Sequence, residues 1–204
     1  MHKNDDLVSA DDALARLMEG NARFLRGEPR FSRAHKEVLA GLTKCQRPYA
    51  TILGCSDSRV PPELIFDADF GDLFVIRVAG NVLSPEIAGS LQYAATHLKT
   101  QLYMVLGHEN CGAVKAALKA KFQGAEERSR IQLLLQSMLP GLEEVDQHLP
   151  PQQMLERAVE ANVRWTMRQI FESPEGRARI AEATLMKLVG AVFEIATGRV
   201  RLLE

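Results

Sequence analysis

The chain has 204 residues and a mass of 22.7 kDa; 46% of its residues are hydrophobic, 25% are charged, and its formal net charge is −1. That length fits one large domain, or one domain with arms, and the apolar share is enough to bury a core. The near-neutral balance argues against nucleic-acid binding and against attachment to anionic membranes.

Met1 to Asp6 lacks the basic flank and apolar segment of a secretory signal. No apolar run approaches the roughly 18 to 20 residues needed to cross a bilayer. Cys45, Cys55 and Cys111 make an odd count, poor material for a disulfide framework. The expectation is a cytoplasmic protein whose thiols stay reduced and serve a metal.

Taken in order, Ser9 to Arg26 carries apolar residues at helical spacing, with acids in its first turn and Ser9 followed by Asp12 as a cap. A second helix is expected over His35 to Leu42. Both are amphipathic and need a surface to cover, in the same chain or in a partner subunit. Pro48 to Gly54 and Asp72 to Val78 are short apolar runs that predict core strands, the second followed by the turn Ala79-Gly80-Asn81. Ser84-Pro85-Glu86 opens a helix to about Leu98. Gln101 to Gly107 is the third strand, and Gly112 to Lys121 is an alanine-rich helix.

From Ala125 to Phe171 the pattern stays helical, broken at Pro140-Gly141 and Pro150-Pro151. Ser173-Pro174-Glu175 starts a short helix to about Ala183. Leu185 to Ile195 and Val200 to Leu203 flank Ala196 to Arg199 as a terminal hairpin. Strands alternating with helices predict an α/β fold: a parallel sheet with an antiparallel edge. No repeat, linker or low-complexity tract divides the chain, so one domain is expected over residues 1–204, with a helical arm over 1–45 and an α/β core over 46–204.

The chemistry gathers where two strands end. Gly54-Cys55-Ser56-Asp57-Ser58-Arg59 follows the first strand, and Gly107-His108-Glu109-Asn110-Cys111-Gly112 follows the third. In open α/β sheets ligand sites form outside the carboxyl ends of the strands, and a βαβ connection would bring these two ends side by side. Cys111, entering a helix, has its thiolate favoured by the helix dipole. Cys55, His108 and Cys111 therefore read as three ligands of one zinc ion, the number expected of a catalytic rather than a structural site. Cys45 and His97 read as ordinary core or surface residues. Asp57 and Arg59, flanking a ligand, read as the groups that control the fourth position.

At these residues the sequence resembles the β-class carbonic anhydrases. The resemblance rests on CSDSRVPPELIFD (55–67), GDLFVIRVAGN (71–81), GSLQYAATHL (89–98), VLGHENCGAVKAAL (105–118) and GAVFEIATGRVRLL (190–203). It implies four parallel strands and a fifth antiparallel edge strand, with the N-terminal helical arm packing on a partner subunit in a homodimer or homotetramer. It further implies zinc on Cys55, His108 and Cys111. Asp57 then either takes the fourth position or pairs with Arg59 and leaves that position to water. Gln46, Phe74, Ala79, Tyr93 and Gly112 match positions lining the family's substrate pocket, some from the neighbouring subunit. Asp69 and Gln92 depart from common family residues without touching these positions. Ile52 stands where a bicarbonate-inhibited subgroup has Trp, and Phe193 near that subgroup's Tyr, so that regulation is not expected.

The implied reaction is reversible hydration of carbon dioxide to bicarbonate and a proton, by attack of zinc-bound hydroxide. Two thiolates cancel the metal's charge, so the bound water should be less acidic than with three neutral histidines, and the rate should climb with pH above neutrality. An ionised Asp57 can only accept hydrogen bonds, so it would orient the hydroxide, with Arg59 holding it through a bidentate pair. Other readings are a hydrolase of carbonyl sulfide or carbon disulfide on the same scaffold, and a zinc-bearing sensor without turnover. A cysteine phosphatase is disfavoured, because Cys55 lacks the glycine-rich phosphate cradle.

Overall fold

The computed structural model describes residues 7–30, 36–181 and 186–204. The ends of three expected elements, His35, Ala183 and Leu185, lie outside the described residues.

Helix α1 (Ala10–Arg26) starts where Ser9 Oγ accepts the Asp12 amide at 3.1 Å, and it stops at Gly27 in the left-handed region. Its buried residues, Ala10, Ala13, Leu17, Gly20 and Asn21, recur at helical spacing. Gly20 is required by close approach: a Cβ there would stand 1.8 Å from the Phe66 carbonyl oxygen. Buried Asn21 donates to the carbonyls of Ile65 and Gly198 and accepts from the Val200 amide. Helix α1 is thus seated on its own chain, one of the two surfaces its amphipathic pattern allowed. Helix α2 (Lys36–Leu42) follows.

Five strands form one sheet: β1 (Ala50–Gly54), β2 (Leu73–Arg77), β3 (Leu102–His108), β4 (Lys187–Phe193) and β5 (Val200–Leu203), in the order β2-β1-β3-β4-β5. All pairs are parallel except β4 with β5, which form the terminal antiparallel hairpin. Every residue of β1 and β3 is buried, as their unbroken apolar sequence requires of strands covered on both faces.

Between strands lie α3 (Pro62–Ile65), α4 (Pro85–Tyr93), α5 (Gly112–Gln123), α6 (Ser129–Met138), α7 (Pro151–Glu172) and α8 (Pro174–Ala181). The helix expected to reach Leu98 is α-helical only to Tyr93 and continues over Ala94–Leu98 as a wider π turn, closed by Lys99 at φ 57°. Helix α7 runs against β3 and β4. The register pairs Gly54 with both Arg77 and Leu106, so the segments after β1 and at the end of β3 emerge together at the carboxyl edge. Strand order reverses on the two sides of β1, which makes this edge the switch point of the sheet.

Candidate metal centre

Cys55, one residue beyond β1, meets His108, the last residue of β3, and Cys111, the residue that caps α5. Their ligand atoms all lie within 4.8 Å of one another, and all three residues are buried. His108 Nδ1 is 2.9 Å from the Glu109 carbonyl oxygen, which only accepts, so Nδ1 carries the proton and Nε2 keeps its lone pair. That Nε2 is buried and, among the described residues, has no hydrogen-bond partner. A buried imidazole nitrogen without a partner, aimed between two thiols, fits a metal-binding role and is costly otherwise.

The thiols are unequal. The neighbouring Cys111 thiol, with the His108 ring and the Gly80 amide (3.3 Å from Cys55 Sγ), lowers the Cys55 thiol to about 4 against the opposing effect of burial. Cys111 moves the other way, raised by its bond to Cys55 and by burial, although the Ala113 and Val114 amides at the start of α5 partly offset this.

Asp57 lies on the solvent side of this cluster. Arg59 donates from Nε to Oδ1 at 2.9 Å and from Nη2 to Oδ2 at 2.7 Å, and its backbone amide adds a third bond to Oδ1. Arg59 is the main reason the Asp57 carboxyl sits far below the usual carboxylate range. Asp57 Oδ2 is also 3.9 Å from His108 Nε2. Asp57 is mostly covered, whereas Arg59 is half exposed, so the cluster faces solvent along this pair.

Several contributors carried no obvious local signal. Arg77, the charged end of β2, donates to the Cys55 carbonyl at 2.9 Å and the Asp57 carbonyl at 2.6 Å, pinning the loop from beneath. A charged residue ending an apolar strand was the available clue. Gly80 is at φ 70°, a conformation that turns its amide to Cys55 Sγ and that side chains rarely adopt. Two buried residues of α7 hold that turn: Asn162 donates to the Gly80 carbonyl at 2.8 Å, and Thr166 to the Asn81 carbonyl at 3.1 Å. The region 122–172, which read only as helical, thereby reaches the cluster.

The five residues matched to a substrate pocket are dispersed. Ala79 opens the turn that contains Gly80, and Gly112 is the first residue of α5, so both adjoin the cluster. Phe74 stacks on exposed Tyr93 with centroids 6.1 Å apart, and Gln46 is exposed before β1. Phe74 pairs with Thr51, three residues before the Gly54–Arg77 pair, about 10 Å back along the strand from the cluster. Cys45 is exposed, and His97 packs on Tyr93 at 4.8 Å; neither joins the cluster. A cavity of about 550 Å³, lined by Leu83, Leu91, Tyr103, Ile170 and Met186 among others, includes none of the cluster residues. Among the described residues, no helix is long and apolar enough to cross a membrane.

Residues 50–200 match the model of the family described as carbonic anhydrase. A carbonic anhydrase of Mycolicibacterium smegmatis is 38% identical over 194 residues, covering 91% of this chain and 89% of the relative. Carbonic anhydrase 2 of Mycobacterium tuberculosis is 37% identical over 191 residues, covering 90% and 87%. Among solved structures, a Coccomyxa β-carbonic anhydrase in complex with acetazolamide aligns with a TM-score of 0.73 at 27% identity, covering 93% of this chain and 86% of that one. One of two tetrameric β-carbonic anhydrases from Sordaria macrospora aligns at 0.71 with 26% identity, covering 94% and 97%.

Proposed function

Since the chain belongs to the β-class carbonic anhydrases, we propose that it catalyses reversible hydration of carbon dioxide to bicarbonate and a proton at a zinc ion held by Cys55, His108 and Cys111. The observation that carries this reading is the partnerless Nε2 of His108, buried between two thiols and beside a carboxylate that Arg59 restrains.

The donor set suits zinc. Ligand atoms around a tetrahedral zinc stand about 3.5 to 3.8 Å apart, from bond lengths near 2.3 Å to sulfur and 2.0 Å to nitrogen. The three atoms here fall within 4.8 Å of one another, so small side-chain rotations would close the set. Both thiols would bind as thiolates and His108 through Nε2. Bound zinc supplies Lewis-acid activation that makes hydroxide available from water near neutral pH.

The chain's own residues do the rest. Asp57, ionised and an acceptor only, would accept a hydrogen bond from the O–H of the attacking water and so fix where the lone pair on its oxygen points. Arg59 would keep Asp57 from swinging onto the metal, which supports the arrangement that leaves the fourth position to water. Arg77 and the Gly80 amide would hold the Cys55 loop while carbon dioxide enters from the solvent side. Gln46, Phe74, Ala79, Tyr93 and Gly112 would line the substrate pocket. Because Gln46, Phe74 and Tyr93 are spread away from the cluster, completing it would require a neighbouring subunit. This supports a homodimer or homotetramer, with arm residues 1–45 also contacting the partner and 46–204 as the core of a single cytoplasmic domain.

Substrate choice is tested by assaying the zinc-loaded chain on carbon dioxide beside carbonyl sulfide and carbon disulfide. Turnover of carbon dioxide well above both sulfur analogues is expected. A preference for a sulfur analogue would replace this reading with the hydrolase.

A further inference from the structure

We propose that the β4–β5 hairpin positions the metal histidine, with Glu109 as the positioning residue that joins them; this rests on the zinc reading above. Among the described residues, one acceptor holds a nitrogen of the His108 ring: the Glu109 carbonyl, 2.9 Å from Nδ1. A shift of that peptide, which lies in the turn beyond the end of β3, would therefore turn the ring or break its hydrogen bond.

Two contacts from the hairpin hold Glu109. Its backbone amide donates to the Phe193 carbonyl at 2.8 Å, just past the last β3–β4 pair of His108 with Phe193. Its side chain reaches over the turn, where Oε2 accepts the Ala196 amide at 3.0 Å. That turn is itself ordered: the Thr197 and Gly198 amides donate to the Glu194 carbonyl, and the Glu194 amide donates to Arg199. Asn21 of α1 clamps its far side through the Gly198 carbonyl and the Val200 amide. Contacts thus run unbroken from α1 through the hairpin and Glu109 to the imidazole.

The same turn touches the other half of the site. Asn110, next in the chain, takes φ 54°, and its carbonyl accepts from Arg59 Nη2 at 3.4 Å. A shift of Glu109 would therefore disturb both the metal ligand and the residue that restrains Asp57. Groups that orient a metal histidine through its second nitrogen commonly change metal affinity or activity by about 10- to 100-fold when removed.

If Glu109 acts by reach, side-chain length should matter and charge should not. Glu109→Gln keeps an acceptor oxygen at the same distance, whereas Glu109→Asp keeps the charge but falls one methylene short of the Ala196 amide. The experiment measures zinc release to a chelator, the visible spectrum of the cobalt-substituted protein, and kcat and KM for carbon dioxide. Glu109→Asp is expected to release zinc about 10-fold faster, shift the cobalt bands and lower kcat more than it raises KM. Glu109→Gln should stay within about 2-fold of the parent on each readout. Glu109→Asp behaving like the parent, or Glu109→Gln failing as badly as Glu109→Asp, overturns the proposal. A parent chain that takes up no zinc overturns the metal reading and this inference with it; a parent that binds zinc with an unaffected Glu109→Asp variant overturns this inference alone.

Discussion

Arg59 grips both oxygens of Asp57, Nε to Oδ1 at 2.9 Å and Nη2 to Oδ2 at 2.7 Å, while Oδ2 stays 3.9 Å from His108 Nε2. The carboxylate is thus beside the Cys55–His108–Cys111 cluster and held away from it by Arg59. Replacing Asp57 by Asn removes the ionised acceptor but none of the three ligands. The Asp57→Asn chain should keep its zinc, measured by elemental analysis, and lose roughly 10²-fold in carbon dioxide hydration by stopped flow. Turnover near the parent value would remove Asp57 from the mechanism.

Cys55 tests the ligand set itself. A serine hydroxyl is a poor substitute for a thiolate, and it also forfeits the negative charge that the Gly80 amide stabilises. Cys55→Ser purified alongside the parent should hold well under one zinc per chain. Full zinc occupancy would mean that Cys55 is not a ligand.

Acid stability follows from the same Arg59 contact. Because the folded-state value of Asp57 lies far below its unfolded value of about 4, the pair contributes stability fully above about pH 4. That contribution is lost as pH falls from the unfolded value toward the depressed folded one. The gap in urea midpoint between parent and Asp57→Asn should hold steady from about pH 7 to 5 and narrow by about pH 3. Between about pH 6 and 9 Asp57 stays ionised, so the climb in rate above neutrality should belong to the metal centre; a flat profile there would contradict that assignment.

The strands, the two loops at their carboxyl ends and the terminal hairpin were legible because apolar runs and turn residues report short-range geometry directly. Ser9 and Asp12 marked the start of α1 for the same reason. Helix α3, only four residues from Pro62 to Ile65, is too short to show a period. The π turn after Tyr93 leaves the apolar spacing nearly unchanged, so it reads as more α-helix. Asn162 and Thr166 were invisible for a different reason: their partners, Gly80 and Asn81, lie 82 and 85 residues away. Only the assembled fold brings those together.

Asn162 gives that long-range contact a measurable size. It is 1% exposed, and its loss would leave the Gly80 carbonyl without its side-chain donor. Asn162→Ala should cost about 1 to 3 kcal/mol in urea unfolding. A cost below about 0.5 kcal/mol would place the Gly80 turn under the control of its own backbone instead.

Cys55, His108 and Cys111 would together hold the zinc at which carbon dioxide is hydrated. Stopped-flow hydration by the zinc-loaded chain, followed through removal of the metal with a chelator and its return, tests it most directly. Turnover should disappear with the zinc and come back when zinc is restored. One zinc bound per chain with no hydration above the uncatalysed rate would contradict it.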